Sequence, residues 1–429
     1  MPRKPLVKSN QSKNDYKQIL AKLATFLKQA ERGADAESED FADLSYSMEK
    51  LARKFLADED QQKAAAYFKL AVNNLKQFAQ LKHDQAQELN LNLSAGQTYA
   101  LLGLMDEAVE SYEQALKLSS TLSDHKAHAR TLRQLGNLKL RQSQWQEAIA
   151  CFEHSNKICQ ENGEPLDEAY ALNSLAAAYF HTAAWRKMEN ACEHARALAE
   201  SMSDDDLTAC VYNNLGAMHN LHGQWDKALA AFQKSLPLFE KLGDRRGLAE
   251  TYNNMATAYR DKELWHESGK CYAKSLQLAR EAGDVVIEAQ VSLNRVELYL
   301  LMHDLEMAEK QCQIALRAFH GLNHKAGEAD ACRLLGVVYT RKENWGLARK
   351  YLDEALQLNN QFGNRLGLAE THKSQAEYWQ EKGNKKSALK HLQNAVEHYQ
   401  ALKAHREIRK LERLIDEIKA AEKNRSRGN

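Results

Sequence analysis

The sequence predicts an all-α protein built as a solenoid, and a strict 40-residue period is the main reason. Small or apolar residues recur every 40 positions, and twelve residues after each comes a second, mostly small residue. An aromatic, Cys or Leu follows four positions later. Self-similarity at a fixed period is typical of solenoids, in which each unit buries its apolar face against its neighbours. The first series consists of Gly96, Gly136, Ala176, Gly216, Ala256, Val296, Gly336 and Ala376.

The pattern of apolar residues in each 40-residue unit predicts two helices, which we call A and B. With Gly216 taken as repeat position 8, apolar or small residues occupy positions 3, 4, 7, 10 and 11. Their spacing of about 3.6 residues indicates an amphipathic helix, helix A. The polar break at residues 222–224 separates it from a second amphipathic run, helix B, which extends from Trp225 to about Leu242.

Glycine and aspartate mark the predicted connections between units. A glycine just past helix B allows a left-handed residue to end that helix without a Cβ penalty. An Asp or Asn then stands where it can cap the next helix A; Glu164 and His324 depart from this rule. The glycines are Gly163, Gly243, Gly283 and Gly363, and the capping residues are Asp84, Asp124, Asp204, Asp244, Asp284 and Asn364.

The core is expected where small positions of helix A face aromatic positions of helix B, because helices approach closely only where one face is small. Tryptophans recur at the start of helix B, and we expect them to be buried between repeats. Pro237, inside helix B of the fifth unit, predicts a kink or break. The tryptophans are Trp145, Trp185, Trp225, Trp265 and Trp345.

Three regions follow from the pattern. The pattern predicts a basic tail and an N-terminal capping helix, Tyr16 to Ala30, within residues 1–40. It predicts about nine helix pairs within residues 41–402, and the connection between the first and second pairs is four residues longer than the later ones. Residues 403–429 predict a C-terminal capping helix, striped by Leu411, Leu414, Ile415 and Ile418, and a basic tail.

Composition argues against several classes of function. The formal net charge is +1, so no overall field favours nucleic acid. No run of about 18 apolar residues predicts membrane insertion, and no signal peptide is visible. Seven cysteines without a C-x-x-C pair fit a reducing cytoplasm. No phosphate-binding, zinc or nucleophile motif occurs, so we expect neither cofactor, metal nor enzymatic activity.

The repeat positions resemble those of the tetratricopeptide repeat. Small residues at position 8, aromatics at position 11 (Tyr179, Tyr259) and Ala at positions 20 and 27 (Ala228, Ala315) match that pattern over about residues 41–402. The long unit is similar to those of Pins/LGN-type scaffolds and kinesin light chains. The resemblance implies a right-handed superhelix whose A helices form a concave wall that grips a peptide, and it does not imply catalysis.

Asparagine recurs on the expected concave wall. Positions 2, 5, 9 and 12 of helix A lie opposite its apolar arc, and position 6 lies beside position 5. Asn is unfavourable inside helices by roughly 0.5–0.7 kcal/mol relative to Ala, so its recurrence calls for a reason. One hypothesis is that the amides bind a peptide backbone; the alternative is that they join neighbouring A helices. The residues are Asn173, Asn213 and Asn253 at position 5, and Asn214, Asn254 and Asn294 at position 6.

Basic residues flank the asparagines, and one aromatic stands among them. Arginine suits carboxylates, so the sequence predicts a guest with acidic residues. The alternative is that the arginines pair with Glu250, Asp261 or Asp330 on the same wall. Phe180 is predicted either to anchor an apolar side chain of the guest or to contact a neighbouring repeat. The arginines are Arg130, Arg133, Arg141, Arg260, Arg333 and Arg341.

We therefore expect a cytoplasmic, non-enzymatic scaffold that binds a protein or peptide partner through an extended, partly acidic segment. The alternative is a regulator whose superhelix changes conformation when a peptide binds. No nucleic-acid partner is expected, and the oligomeric state is left open by the sequence.

Overall fold

A computed structural model describes residues 83–101, 104–142, 144–182, 184–322, 324–402 and 404–427, together with isolated positions between 68 and 80. The predicted N-terminal capping helix, Tyr16 to Ala30, and most of the first predicted helix pair lie outside the described residues. The chain from residue 83 onward therefore supplies the architecture.

Seventeen α-helices of 17–23 residues follow one another, and the described residues contain no strand. They are α1 (Gln85–Leu101), α2 (Met105–Thr121), α3 (His125–Arg141), α4 (Trp145–Asn162), α5 (Pro165–His181), α6 (Trp185–Met202), α7 (Asp205–Leu221), α8 (Trp225–Leu242), α9 (Arg245–Asp261), α10 (Trp265–Ala282), α11 (Val285–Leu301), α12 (Leu305–Gly321), α13 (Lys325–Arg341), α14 (Trp345–Gln361), α15 (Arg365–Glu381), α16 (Lys385–Ala401) and α17 (His405–Arg427). Odd-numbered helices up to α15 are the A helices and even-numbered ones the B helices. The predicted all-α solenoid class is confirmed.

The chain divides into two compact units. The first contains residues 1–138 and 154–167, and the second contains residues 139–153 and 168–429. In the first unit, Ser155 of α4 donates a hydrogen bond from its Oγ to the carbonyl oxygen of Ala129 at 2.7 Å. In the second unit, each A helix from α7 onward packs on the B helix of its own pair, and that B helix packs on the next A helix.

The predicted pairing of small and large residues forms the core of both units. A Cβ added to Gly216 would lie 2.4 Å from the Cε1 of Phe232 in the second unit. In the first unit, a Cβ on Gly96 would lie 2.6 Å from the Cε1 of Tyr112. Real Cβ atoms do not approach so closely, so position 8 sets the distance between helices A and B.

The predicted helix ends are also confirmed. Gly163, Gly243, Gly283 and Gly363 have φ values of 66–68°. Asp204 and Asp284 accept hydrogen bonds from the third backbone N–H beyond them, at 2.8 and 3.0 Å. The departure at His324 is also a cap, because its Nδ1 accepts from the N–H of Gly327 at 3.0 Å.

The predicted burial of the tryptophans is wrong for two of them. Trp225 and Trp265 are 36% and 42% exposed, because the first residue of helix B lies at the turn edge of the solenoid rather than between repeats. The predicted break at Pro237 does not occur either, because α8 continues from Trp225 to Leu242, and a kink there stays a prediction. Proline removes one backbone donor, and the surrounding packing tolerates that loss.

The predicted C-terminal cap is present as α17. Leu411, Ile415 and Ile418 are buried, and Leu414 packs against the same cluster. The helix extends to Arg427, so most of the segment predicted as a tail is helical. No helix within the described part of the chain has the length and apolar character needed to cross a membrane.

Candidate functional site

A groove of about 1130 Å³ runs through the second unit. The A helices α7 to α15 supply most of its wall, the C-terminal ends of α3 and α5 line one end, and α17 lines the other. Many of its residues stand at repeat positions 2, 5, 9 and 12, where the sequence pattern expects an open surface. Examples are Asp330 and Glu370 at position 2, Asn253 and Lys373 at position 5, Ala217 and Glu297 at position 9, and Phe180 and Arg260 at position 12.

The six predicted asparagines form hydrogen-bonded pairs between consecutive A helices, which we call the amide ladder. In each pair, the Nδ2 of a position-6 asparagine donates to the Oδ1 of the position-5 asparagine 41 residues earlier. The pairs are Asn214 to Asn173 at 2.8 Å, Asn254 to Asn213 at 3.1 Å, and Asn294 to Asn253 at 3.0 Å.

The geometry of the amide ladder matches the alternative that the sequence left open, in which the amides join neighbouring A helices. Asn213 and Asn253 are each only 8% exposed. Their Oδ1 atoms are occupied by the ladder, so these oxygens do not face a guest. Of the six, only Asn253, Asn254 and Asn294 line the groove. Peptide binding by these residues stays a prediction.

One side-chain N–H donor of the amide ladder, at the groove, has no acceptor within the described residues. The Nδ2 of Asn253 donates no hydrogen bond within the described residues, although its Oδ1 accepts from Asn294 and its carbonyl oxygen accepts from Thr257. A buried amide donor needs an acceptor, and water or a guest carbonyl would supply one.

Arg260 is paired with carboxylates on its own wall. Its Nε and Nη2 lie 2.9 and 2.7 Å from the Oδ1 of Asp261, and its Nη1 donates to Glu297 of the next A helix. The side chain of Arg260 is only 12% exposed. Arg260 therefore pairs with carboxylates on its own wall, as the alternative hypothesis for the arginines predicts.

Two further predicted arginines also have acidic neighbours. The Nε of Arg333 lies 3.9 Å from the Oδ1 of Asp330, and this side chain does not line the groove. Arg341 donates to Glu377 and lies 3.9 Å from Glu381. Arg341 also lies outside the groove lining.

Arg130 and Arg133 belong to the first unit. There Arg130 donates from its Nε to Asp167 at 2.9 Å, and Arg133 lies 3.9 Å from the same carboxylate. Arg141 belongs to the second unit and lines the end of the groove formed by α3 and α5. Among the four predicted arginines of the second unit, Arg141 and Arg260 line the groove, whereas Arg333 and Arg341 do not.

Phe180 lies at the same end of the groove as Arg141. Its ring packs edge-on against Trp185 with 6.1 Å between centroids. Its neighbour His181 stacks on Trp145 at 4.4 Å. Burial, followed by the nearby His324, lowers the pKa of His181 to about 4. This end of the groove is thus aromatic and uncharged except for Arg141.

Carboxylates dominate the middle of the groove. Burial raises the pKa of Asp330, as do Glu370 and Glu297, while Arg333 opposes the shift. Burial acts in the same direction on Glu370, but Lys373 and Arg333 outweigh it and lower the pKa of that residue. Asp330 therefore ionises less readily than an aspartate in water unless a further cation approaches it.

A contact across the groove was missed by the sequence analysis. Trp185, at the start of α6, packs against the apolar cluster of α15 to α17 that contains Leu411 and Ile415. A 40-residue period reports contacts between adjacent units, whereas this contact joins Trp185 to helices that begin 180 residues later in the chain. No signal in a single sequence would have revealed it.

Histidine, cysteine and carboxylate side chains do not assemble into a metal centre in the part of the chain that the structure describes. No group of three or more is suitably arranged for a metal ion. The cysteines there are free, and Cys192 and Cys312 are buried at the aromatic position of the repeat.

The fold and the groove define an α-helical repeat protein with a concave polar surface. The tetratricopeptide repeat model matches residues 87–161, 167–241, 247–319 and 328–401, which is more than half of the chain. The chain belongs to the tetratricopeptide repeat family. Each matched segment spans two helix pairs. No curated protein sequence matches the chain.

Several solved structures are similar in fold. The Rap conjugation gene regulator of plasmid pLS20, in complex with the Phr* peptide, aligns with a TM-score of 0.58 at 15% identity, over 81% of this chain and 96% of that one. Aspartyl phosphate phosphatase F from Bacillus subtilis aligns with a TM-score of 0.51 at 14% identity, over 84% and 96%. The apo form of RapI aligns with a TM-score of 0.52 at 12% identity, over 65% and 98%.

Proposed function

We propose that this protein is a non-enzymatic scaffold of the cytoplasm that binds an extended peptide segment of a partner in the groove of the second unit. The observation that carries the proposal is the groove itself, a cavity of about 1130 Å³ along successive A helices. Its volume and its mixture of aromatic and polar residues suit a peptide of several residues.

The unpartnered Nδ2 of Asn253 supports binding of a peptide backbone. A main-chain carbonyl is present in every residue of a guest, so an amide donor on the wall binds independently of the guest's sequence. One such hydrogen bond contributes about 0.5–1.5 kcal/mol. Similarity in fold to the Rap regulator, which is bound to a peptide in its own structure, is consistent with this use of the groove.

The acidic character predicted for the guest has less support than its extended form. Arg260 and Arg333 are held by carboxylates of the wall. Acidic residues in the guest were predicted from these arginines. The binding test therefore measures whether the selected peptides are acidic.

The test is a selection of peptides from a random library displayed on phage, with the full chain as bait. We expect the selected peptides to lose at least tenfold in affinity for Ala217→Trp, because the indole would fill the groove at position 9. Ala230→Trp is the matched control, since Ala230 is exposed on helix B. Equal affinity of both variants for every selected peptide would place binding outside the groove.

The second candidate is a regulator that changes conformation when a peptide binds, and the contact of Trp185 with the apolar cluster of α15 to α17 favours it. Phe180 lines the groove and packs against Trp185, so a guest that moves Phe180 would disturb this contact. Small-angle scattering with and without a selected peptide distinguishes the two candidates. An unchanged profile at saturation would leave only the rigid scaffold.

A further inference from the structure

Two arginines near the groove are less exposed than the carboxylates beside them. The side chains of Arg260 and Arg333 are 12% and 17% exposed, whereas those of Glu297, Asp330 and Glu370 are 42%, 43% and 32% exposed. Lys373, which also lines the groove, is 45% exposed. A guest therefore meets these three carboxylates and Lys373 before the two guanidinium groups, although the sequence alone suggests a wall of arginines.

Asp330 is the carboxylate with the fewest partners. Glu297 accepts from Arg260, and Glu370 accepts from Lys373 at 3.0 Å and from the hydroxyl of Tyr399. Asp330 makes no hydrogen bond within the described residues, and its nearest cationic atom is the Nε of Arg333 at 3.9 Å. An ionised carboxylate accepts several hydrogen bonds, so this side chain has unused capacity toward the groove.

Two further groups at the groove have polar atoms without partners. Asn253 is 8% exposed and lines the groove, and its Nδ2 donates no hydrogen bond within the described residues. On α17, the Oε2 of Glu407 is buried and has no hydrogen-bond partner among the described residues. A buried oxygen without a donor is costly, so Glu407 points to a ligand that supplies donors, and the Nδ2 of Asn253 can bind an acceptor of the same ligand.

We propose that the guest presents a cationic group to Asp330, between Glu297 and Glu370, while a nearby carbonyl of the guest accepts from Asn253. This inference rests on the proposed function and specifies the chemistry of the partner: a lysine or arginine side chain, or a free terminal ammonium. A charge-assisted hydrogen bond to Asp330 is the interaction that the groove lacks. Lys373 limits the site at one side, so a single cation fits better than a basic run.

The test uses the peptides selected from the random library. We expect Lys or Arg at one fixed position, and we expect Asp330→Asn to weaken those peptides about tenfold or more. The isosteric amide keeps the shape of the side chain, and Glu354→Gln, an exposed carboxylate on α14, is the control. Circular dichroism and the melting temperature verify that each variant is folded.

A double-mutant cycle identifies the contact. Replacing the basic residue of a selected peptide by norleucine should cost about as much as Asp330→Asn, and the two changes together should cost little more than either one. Acetylation of the peptide's amino terminus distinguishes a terminal ammonium from a side chain.

Two outcomes would overturn the inference while the proposed function stands. One is a set of peptides that are sensitive to Ala217→Trp but carry no basic residue or are enriched in acidic residues. The other is strict additivity in the double-mutant cycle. Peptides insensitive to Ala217→Trp would instead refute the proposed function itself.

Discussion

The side-chain amide of Asn254 donates to the Oδ1 of Asn213, 41 residues earlier in the chain, at 3.1 Å. The same offset recurs in the pairs of Asn214 with Asn173 and Asn294 with Asn253. Each pair joins an A helix to the A helix before it. Packing at the interface of two helices is tolerant of small shifts, whereas a hydrogen bond between fixed positions sets the register of one repeat on the next.

Replacement of Asn254 by Ala should lower the free energy of unfolding by about 1–2 kcal/mol, because the buried Oδ1 of Asn213 would lose its donor. Thermal melts and urea titrations measure the effect. Asn360→Ala is the matched control, since Asn360 is exposed and its side chain makes no hydrogen bond within the described residues. Equal stability of the two variants would show that the amide ladder contributes nothing.

Gly216→Ala should destabilise the second unit by about 1–3 kcal/mol, because the new methyl group would overlap the ring of Phe232. Gly269 offers an internal comparison, since it is also helical but a Cβ there meets open space. Gly269→Ala should raise stability by about 0.5–1 kcal/mol through helix propensity. Shifts of the same sign in both variants would contradict the packing role of position 8.

A histidine contact on α15 and α16 predicts a loss of stability in mild acid. The Nδ1 of His372 lies 3.1 Å from the Nδ1 of His391, and the ring of His398 stacks on that of His372. Burial, followed by His391, lowers the pKa of His372 to about 4. The usual value of about 6.5 applies in the unfolded chain, which therefore binds the proton first as the pH falls.

The contribution of His372 should be complete above about pH 6.5 and should disappear between pH 6.5 and 4. Its size is about 1–2 kcal/mol once the exposed part of the ring is discounted. Melting temperatures measured from pH 4 to 8 should fall more steeply toward acid in the parent than in His372→Gln, because the variant lacks the group whose pKa is lowered on folding. His266→Gln, an exposed control, should keep the parent's pH dependence. Parallel curves for His372→Gln and the parent would rule out this assignment.

Trp185→Ala should loosen the apolar cluster of α15 to α17 that Trp185 packs against. The loss of this partly buried contact should cost roughly 2 kcal/mol and accelerate amide hydrogen exchange within α15 to α17. Trp265→Ala is the comparison, because Trp265 is 42% exposed and its loss should leave exchange in these three helices unchanged. Identical exchange in both variants would mean that the contact carries no free energy.

The sequence predicted most of the fold because the repeat depends on local physics. Gly216 opposite Phe232, left-handed Gly243 and the cap at Asp244 each follow from interactions within one unit and its neighbour. The exposure of Trp265 was mispredicted because burial depends on where the turn lies at the solenoid edge. Large apolar residues are buried on average, but those at the turn edge of the solenoid can be exposed.

The site was less predictable than the fold. Repeat positions 5 and 12 correctly place Asn253 and Arg260 at the groove, since helical periodicity fixes which face is open. Periodicity does not reveal whether a polar group on that face is already paired. Glu297 lies one repeat after Arg260 and neutralises it, and that relationship required coordinates.

The contact between Trp185 and the apolar cluster of α15 to α17 has a consequence for how this chain diverges. Open arrays gain or lose units readily, because each unit touches only its neighbours. In the second unit, a duplication or deletion of 40 residues between Trp185 and α15 would move the two partners out of contact. Selection that retains this closure permits amino-acid replacement but holds the number of intervening units constant.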